Sequence, residues 1–295
     1  MAEDVALNPG NPNDVHVDGS EPAPAARRTD WWAELKGLLW LIVAVLGFHS
    51  LVAKPFYIPS ESMMPGLLVG DRLVVTKFPY GYSFVTPTFH LLPFMQGRLF
   101  GSLPERGDVV IVTPPGTRTD YIKRVIGLPG DRLEVRGGVV FLNGREVPRR
   151  AMGDRLLPVD PNNQCTSYGP DAIVRGADGR EMCRLPIYRE TLPNGRSYDT
   201  IDSGYSFGDN YGPITVAPNH VFLMGDNRDN SADSRFPVEP DKGLGGAVPW
   251  ENIGGRAEFI TFSLDGTATL NPLTWPKSFR SGRAGLSLHP QKDQQ

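Results

Sequence analysis

A chain of 295 residues, 40% hydrophobic and 21% charged, holds enough apolar material for one large or two ordinary domains and is neither fibrous nor disordered throughout. Its net charge of −3, with no basic stretch beyond isolated pairs such as Arg27-Arg28 and Arg149-Arg150, lacks the electrostatic footprint of a nucleic-acid binder. Glycine (33) and proline (28) together make about a fifth of the chain, which favours a turn-rich β protein over a helical one.

Residues 1–30 are polar and rich in Pro, Asn, Asp and Gly, without the periodic apolar positions that would offset ordering entropy, and predict a disordered tail. Gly37 to Ala53 then runs for 17 residues without a charge, between Lys36 and Lys54, the short end of what a bilayer span needs. A buried core helix and a cleaved leader are the competing readings. The run begins more than 30 residues into the chain, and it continues into Lys54-Pro55-Phe56-Tyr57 rather than a small-residue cleavage site. Trp31, Trp32, Phe56 and Tyr57 flank it as an interfacial aromatic belt would. Residues 31–54 therefore read as a single transmembrane anchor. Arg27, Arg28 and Lys36 before it, against Lys54 and Arg72 after it, bias the preceding tail only weakly to the cytoplasmic side.

Beyond Pro55 the signals are strands and turns. Asp71 to Lys77, Asp108 to Val112 and Tyr121 to Ile126 are short runs rich in β-branched residues, bounded by Gly and Pro, and Val139 to Val147 contains Asn143-Gly144, a strong hairpin signal. No long 3.6-residue period follows residue 54. The expected fold is mainly β: an antiparallel β-sheet domain with extended loops over 55–275, carried on one N-terminal transmembrane helix and followed by a flexible C-terminal tail, 276–295.

Two segments interrupt this domain. Residues 78–103 crowd Phe78, Tyr80, Tyr82, Phe84, Phe89, Leu91, Leu92, Phe94, Leu99 and Phe100 between Pro and Gly, as a core-covering loop or as an apolar patch resting on a bilayer. Residues 148–219 are irregular and read as an inserted subregion. The insert holds the only two cysteines, Cys165 and Cys183, which either close a 17-residue loop as a disulfide or remain as buried thiols.

Three local patterns carry the chemistry. Ile58-Pro59-Ser60-Glu61-Ser62-Met63-Met64-Pro65 follows the apolar run, Tyr121-Ile122-Lys123-Arg124-Val125-Ile126-Gly127 lies on a predicted strand, and Met224-Gly225-Asp226-Asn227-Arg228-Asp229-Asn230-Ser231-Ala232-Asp233-Ser234-Arg235 follows the insert. Serine needs a base within hydrogen-bond reach. None of His16, His49, His90, His220 or His289 falls in a pattern that recommends it, whereas a lysine can serve if burial depresses its pKa. Strand alternation puts Tyr121, Lys123 and Val125 on one face, so Lys123 has an aromatic neighbour.

With Gly107-Asp108-Val109-Val110, these stretches in this order resemble the boxes of bacterial type I signal peptidase, over about residues 37–262. The resemblance implies a membrane-bound serine endopeptidase that removes signal peptides from secretory preproteins with small residues at −1 and −3. Its catalytic domain would face the extracytoplasmic side of the cytoplasmic membrane and contact membrane lipid, with neither cofactor nor metal. It assigns Ser62 as nucleophile, Lys123 as general base, and the Ser62 N–H with the Ser60 hydroxyl as the oxyanion hole. Ser231 would orient the lysine, Asp233 and Arg235 would form an ion pair behind the site, and Gly225 and Asp226 would lie at its edge. Ile58, Met63, Leu67 and Tyr121 would lie near the substrate pockets. Glu61 departs from the pattern, standing where many members have glycine, and Gly66 stands where threonine is frequent.

Competing motifs fail on context. Gly204-Tyr205-Ser206-Phe207-Gly208 matches a nucleophile elbow but lacks the flanking strand and helix, and the Asp229-Ser231-Asp233 alternation lacks the glycine and glutamate of a calcium loop. A serine–lysine self-cleaving protease would carry a DNA-binding helical domain that the tail cannot supply. A membrane-anchored β scaffold without catalysis would leave Ser62 and Lys123 without a role.

Overall fold

The computed structural model describes residues 30–87 and 94–292. The expected tail, 1–30, lies outside them except for Asp30, as do Phe89, Leu91 and Leu92 of the apolar segment. Helix α1 (Trp31–Leu51) is apolar around its circumference with none of its residues buried, and its 21 residues extend about 30 Å. It ends before the apolar run does. Pro55 disfavours helical backbone in the residue before it, and Ala53 and Lys54 already belong to strand β1 (Ala53–Tyr57).

The next strands in the chain build one sheet. β2 (Asp71–Thr76) returns antiparallel to β1 with Phe56 opposite Leu73, and β3 (Val109–Val112) pairs with β4 (Tyr121–Gly127), placing Val110 opposite Lys123. The connection from Ile58 to Gly70 is closed at its neck by backbone bonds, Ile58 N–H to Asp71 C=O and Gly70 N–H to Ile58 C=O, both 3.0 Å. A satellite sheet follows in β5 (Arg132–Arg136), β6 (Val139–Leu142) and β7 (Arg145–Glu146). Its predicted hairpin is present. Asn143 and Gly144 form the two-residue turn with φ of 56° and 79°, the left-handed geometry that Asn-Gly tolerates.

The region 148–219 is far more regular than the sequence implies. β8 (Arg149–Pro158), β9 (Ile173–Arg175), β10 (Glu181–Thr191) and β11 (Arg196–Ile201) form a sheet dominated by the long β8–β10 pairing. Gly153 and Pro186 both sit within the ladder. Gly153 takes φ of 80° beside a bulge, where the register shifts between Ile187 and Tyr188. β8 is exposed along nearly its whole length, so its mixed polar sequence shows no alternation. The cysteines form the Cys165–Cys183 disulfide, both fully buried with Met64, Leu68, Leu185 and Ile187, closing a loop worth about 3 kcal/mol.

β12 (Tyr211–Thr215) adds to β5, and β13 (His220–Met224), β14 (Val248–Pro249) and β15 (Ile253–Ser263) complete a seven-stranded sheet in the order β1-β2-β15-β3-β4-β13-β14, antiparallel throughout. The described part of 276–295 is not the flexible tail expected. Arg280 forms an ion pair with Asp160 at 2.8 Å and Arg283 one with Asp71 at 2.5 Å, and β16 (Gln291–Lys292) pairs with β11. These partners lie far away in sequence, so composition alone gave no sign that the segment would be held.

Candidate active site

The loop from β1 to β2 carries a single 3₁₀ turn, Glu61–Met63, with Ser62 at its centre. Such a turn has poor internal hydrogen-bond geometry, so its surroundings fix it. Ile58, Met63 and Leu67 anchor it from below, each about 1% exposed in a cluster with Leu73, Val75, Val109, Ile111, Ile122, Ala257 and Ile260. From the side, Asn227 N–H donates to Ser62 C=O at 3.1 Å and Asn227 Nδ2 to Glu61 C=O at 3.0 Å.

Strand β4 brings Lys123 to this turn from 61 residues away. Lys123 Nζ hydrogen-bonds with Ser62 Oγ at 3.0 Å and donates to Ile122 C=O at 3.0 Å. The Tyr121 ring lies 5.6 Å from Nζ, on the strand face the alternation predicts. Burial strips the ammonium of water and pushes the lysine down from 10.5 to about 8; Asp233 and Asp226 oppose this shift and Arg235 adds to it. Ser60 Oγ stands 3.4 Å from Ser62 Oγ on the exposed side. Both serines and Lys123 line a groove of about 420 Å³ whose walls include Phe56, Ile58, Asp120, Tyr121, Ile122 and Asn230. None of the described histidines lines it; His220 Nδ1 pairs with Pro218 C=O, and His289 with Glu258.

The residues after β13 pack directly behind the turn. A Cβ on Gly225 would collide with Ser231 Oγ and lie 2.5 Å from Ser62 C=O, so this close approach requires glycine. Gly225 N–H donates to Asp233 Oδ2 at 3.0 Å, and Asp233 is paired with Arg235 at 2.9 Å, both side chains fully buried. Burial pushes the Asp233 carboxyl up, but the Arg235 charge and its hydrogen bonds outweigh that and hold it below the usual carboxylate range. Asp226 accepts from Arg124 Nε at 2.7 Å and Nη2 at 2.6 Å, and Arg124 Nη1 reaches Gly107 C=O at 2.7 Å, joining the lysine box, the acidic box and the Gly107–Val110 stretch.

The structure does not gather every anticipated residue into the groove. Ile58 and Tyr121 line it, whereas Met63 and Leu67 face a second cavity of about 430 Å³ behind the turn. Ser231 lies beside Gly225, but among the described residues its buried Oγ has no hydrogen-bond partner and makes no bond to Lys123 Nζ. Two contacts escaped the sequence reading, the Ile122 carbonyl that holds Nζ and Asn227 beneath Ser62. The first is backbone and has no residue signature; the second lay within the acidic box. Ser206 of the rejected elbow caps the short turn Phe207–Asp209.

Residues 31–262 match the family model described as signal peptidase, peptidase S26. The signal peptidase I of Rickettsia typhi is 34% identical over 239 residues, covering 78% of this chain and 80% of that protein. That of Rickettsia bellii is 32% identical over 279 residues, covering 88% and 86%. Among solved structures, a signal peptidase I from Enterococcus faecalis V583 is 20% identical, covers 52% of this chain and 97% of its own, and has a TM-score of 0.27.

Proposed function

The chain belongs to the signal peptidase family, peptidase S26, and is a hydrolase of the kind that removes signal peptides; from that premise we propose that it works with a Ser62–Lys123 dyad on a membrane anchor. The observation that carries this reading is the buried Lys123 amine at 3.0 Å from Ser62 Oγ, pushed down to about 8 by desolvation.

The free amine accepts the Ser62 proton as Oγ attacks the scissile carbonyl, and the resulting ammonium returns it to the departing amine, giving an acyl-enzyme that water then hydrolyses. The oxyanion is held by the Ser62 N–H and the Ser60 hydroxyl, whose placement 3.4 Å from the nucleophile supports that role. Ser231 acts by packing against Gly225 rather than by bonding the lysine in this resting arrangement. Ile58 and Tyr121 shape the groove for small side chains at −1 and −3 of a secretory preprotein; Met63 and Leu67 support its floor.

Helix α1, apolar, unburied and about 30 Å long, suits a single membrane span. The disulfide favours an oxidising, extracytoplasmic location for the catalytic domain, at the outer face of the cytoplasmic membrane.

The test is cleavage of a purified secretory precursor whose signal ends in Ala-x-Ala, in detergent with EDTA, by the wild type and by Lys123→Ala. Cleavage after the −1 alanine by the wild type alone is expected. Equal cleavage by both would remove Lys123 from the mechanism.

A further inference from the structure

We infer that Glu61 is a positioning residue, tying the nucleophile turn to the disulfide-closed loop of the insert so that Ser62 Oγ is held on line with Lys123; this rests on the dyad reading above. Glu61 directly precedes Ser62 in the 3₁₀ turn, and its Oε2 accepts from Ser167 Oγ at 2.7 Å and from Asn230 Nδ2 at 2.8 Å. One oxygen thus joins three segments: the nucleophile turn, the insert, and the acidic box where Asn230 lines the groove.

The insert's side of this tie is itself fixed. Ser167 lies in the turn Thr166–Tyr168, immediately after Cys165 and its bond to Cys183 on β10. Tyr168 Oη accepts from Asn227 Nδ2 at 2.7 Å, the same nitrogen that donates to Glu61 C=O, while Asn227 N–H holds Ser62 C=O. Met64, on the other side of Ser62, is buried against both cysteines. The turn is therefore gripped before and after the nucleophile by the 165–168 loop.

A 3₁₀ turn of three residues has little rigidity of its own, and nucleophilic attack is sensitive to displacements of about 1 Å. Loosening this grip lets Ser62 Oγ wander from Nζ while the apolar walls of the groove, Phe56, Ile58, Tyr121 and Ile122, stay in place, so the loss falls on kcat rather than KM. Both donors meet a single glutamate oxygen, so a glutamine whose amide oxygen takes that place keeps both bonds.

Full-length wild type, Glu61→Ala, Glu61→Gln and Cys165→Ser/Cys183→Ser are compared in detergent for precursor cleavage across pH, and for amide hydrogen exchange at residues 60–64. Expected are a fall in kcat of about 10-fold for Glu61→Ala with KM within two-fold and the pH midpoint unmoved, and near wild-type rates for Glu61→Gln. The cysteine variant falls similarly, and combining it with Glu61→Ala falls no further. Exchange at 60–64 accelerates in Glu61→Ala and in the cysteine variant. Where the cysteine variant does not fold, Ser167→Ala takes its place. An unchanged kcat in Glu61→Ala, losses that multiply, or unaltered exchange at 60–64 overturns the inference. Retained cleavage by Ser62→Ala would instead sink the dyad reading, and the exchange data would still decide whether Glu61 grips the turn.

Discussion

Two lysines are buried in the central sheet, Lys123 within β4 and Lys77 just past the end of β2, each 4% exposed and each pushed down to about 8, chiefly by desolvation. Their partners differ. Lys123 Nζ meets a hydroxyl at the wall of an open groove, whereas Lys77 Nζ donates to Gly254 C=O at 2.9 Å, lies 5.7 Å from the Phe56 ring, and feels Lys54 and Arg98 as further depressing charges and Asp120 as an opposing one. A lysine pKa lowered to about 8 is thus a common product of burial in this sheet. Chemistry needs the second condition, a nucleophile within reach at a place a substrate can enter.

The largest effect that tests this contrast is on turnover. Lys123→Ala is expected to lower kcat/KM for a signal-bearing precursor by about three orders of magnitude or more, and Lys77→Met to leave it within about three-fold. A comparable loss in both variants, with folding intact, would show that the two lysines act together. Gly225→Ala separates geometry from titration. The added methyl has no room between Ser231 and the Ser62 carbonyl, so it displaces the nucleophile while leaving Lys123 in its buried place, and a loss of about 100-fold in kcat is expected. Undiminished turnover would mean that the turn tolerates the shift.

The third effect is on the pH profile. Lys123 acts as a base only when deprotonated, so kcat/KM is expected to fall about ten-fold per unit below pH 8 and to level off above it. Lys77→Met should leave that midpoint in place. A rate independent of pH between about 6 and 9 would count against a lysine base.

What the sequence revealed follows the range of the forces involved. Ser62 and Lys123 stood out because short, dense patterns surround them, and Asn143-Gly144 because a two-residue turn is decided by its own backbone preferences. Lys77 carried no such pattern, and its burial depends on β15 supplying the Gly254 carbonyl from 177 residues away. The regular strands of the insert were hidden for a related reason. β8 has no buried face to impose alternation, and the bulge at Gly153 disguises its register. The C-terminal segment looks free in sequence because its restraints, Arg280 on Asp160 and Arg283 on Asp71, are pairings across the fold.

The smallest expected effect concerns stability and applies to both lysines alike. A pKa of about 8 in the folded state, against 10.5 for the free side chain, means that the unfolded chain binds more protons between those values. Stability therefore rises with pH across roughly 8 to 10.5, and below pH 8 each lysine carries its full net penalty, about 3 kcal/mol. Replacing either by methionine removes one titrating proton and reduces the slope of unfolding free energy against pH by up to about 1.4 kcal/mol per unit in that window. Denaturant titrations of the wild type and the two variants at pH 7, 9 and 10 measure the slope. Equal flattening by Lys123→Met and Lys77→Met, with activity lost in only the first, would show that the sheet bears the same cost at both positions and turns it into catalysis at one. A slope changed by neither substitution would mean that these amines stay charged when folded, and would remove the basis for a lysine base at Ser62.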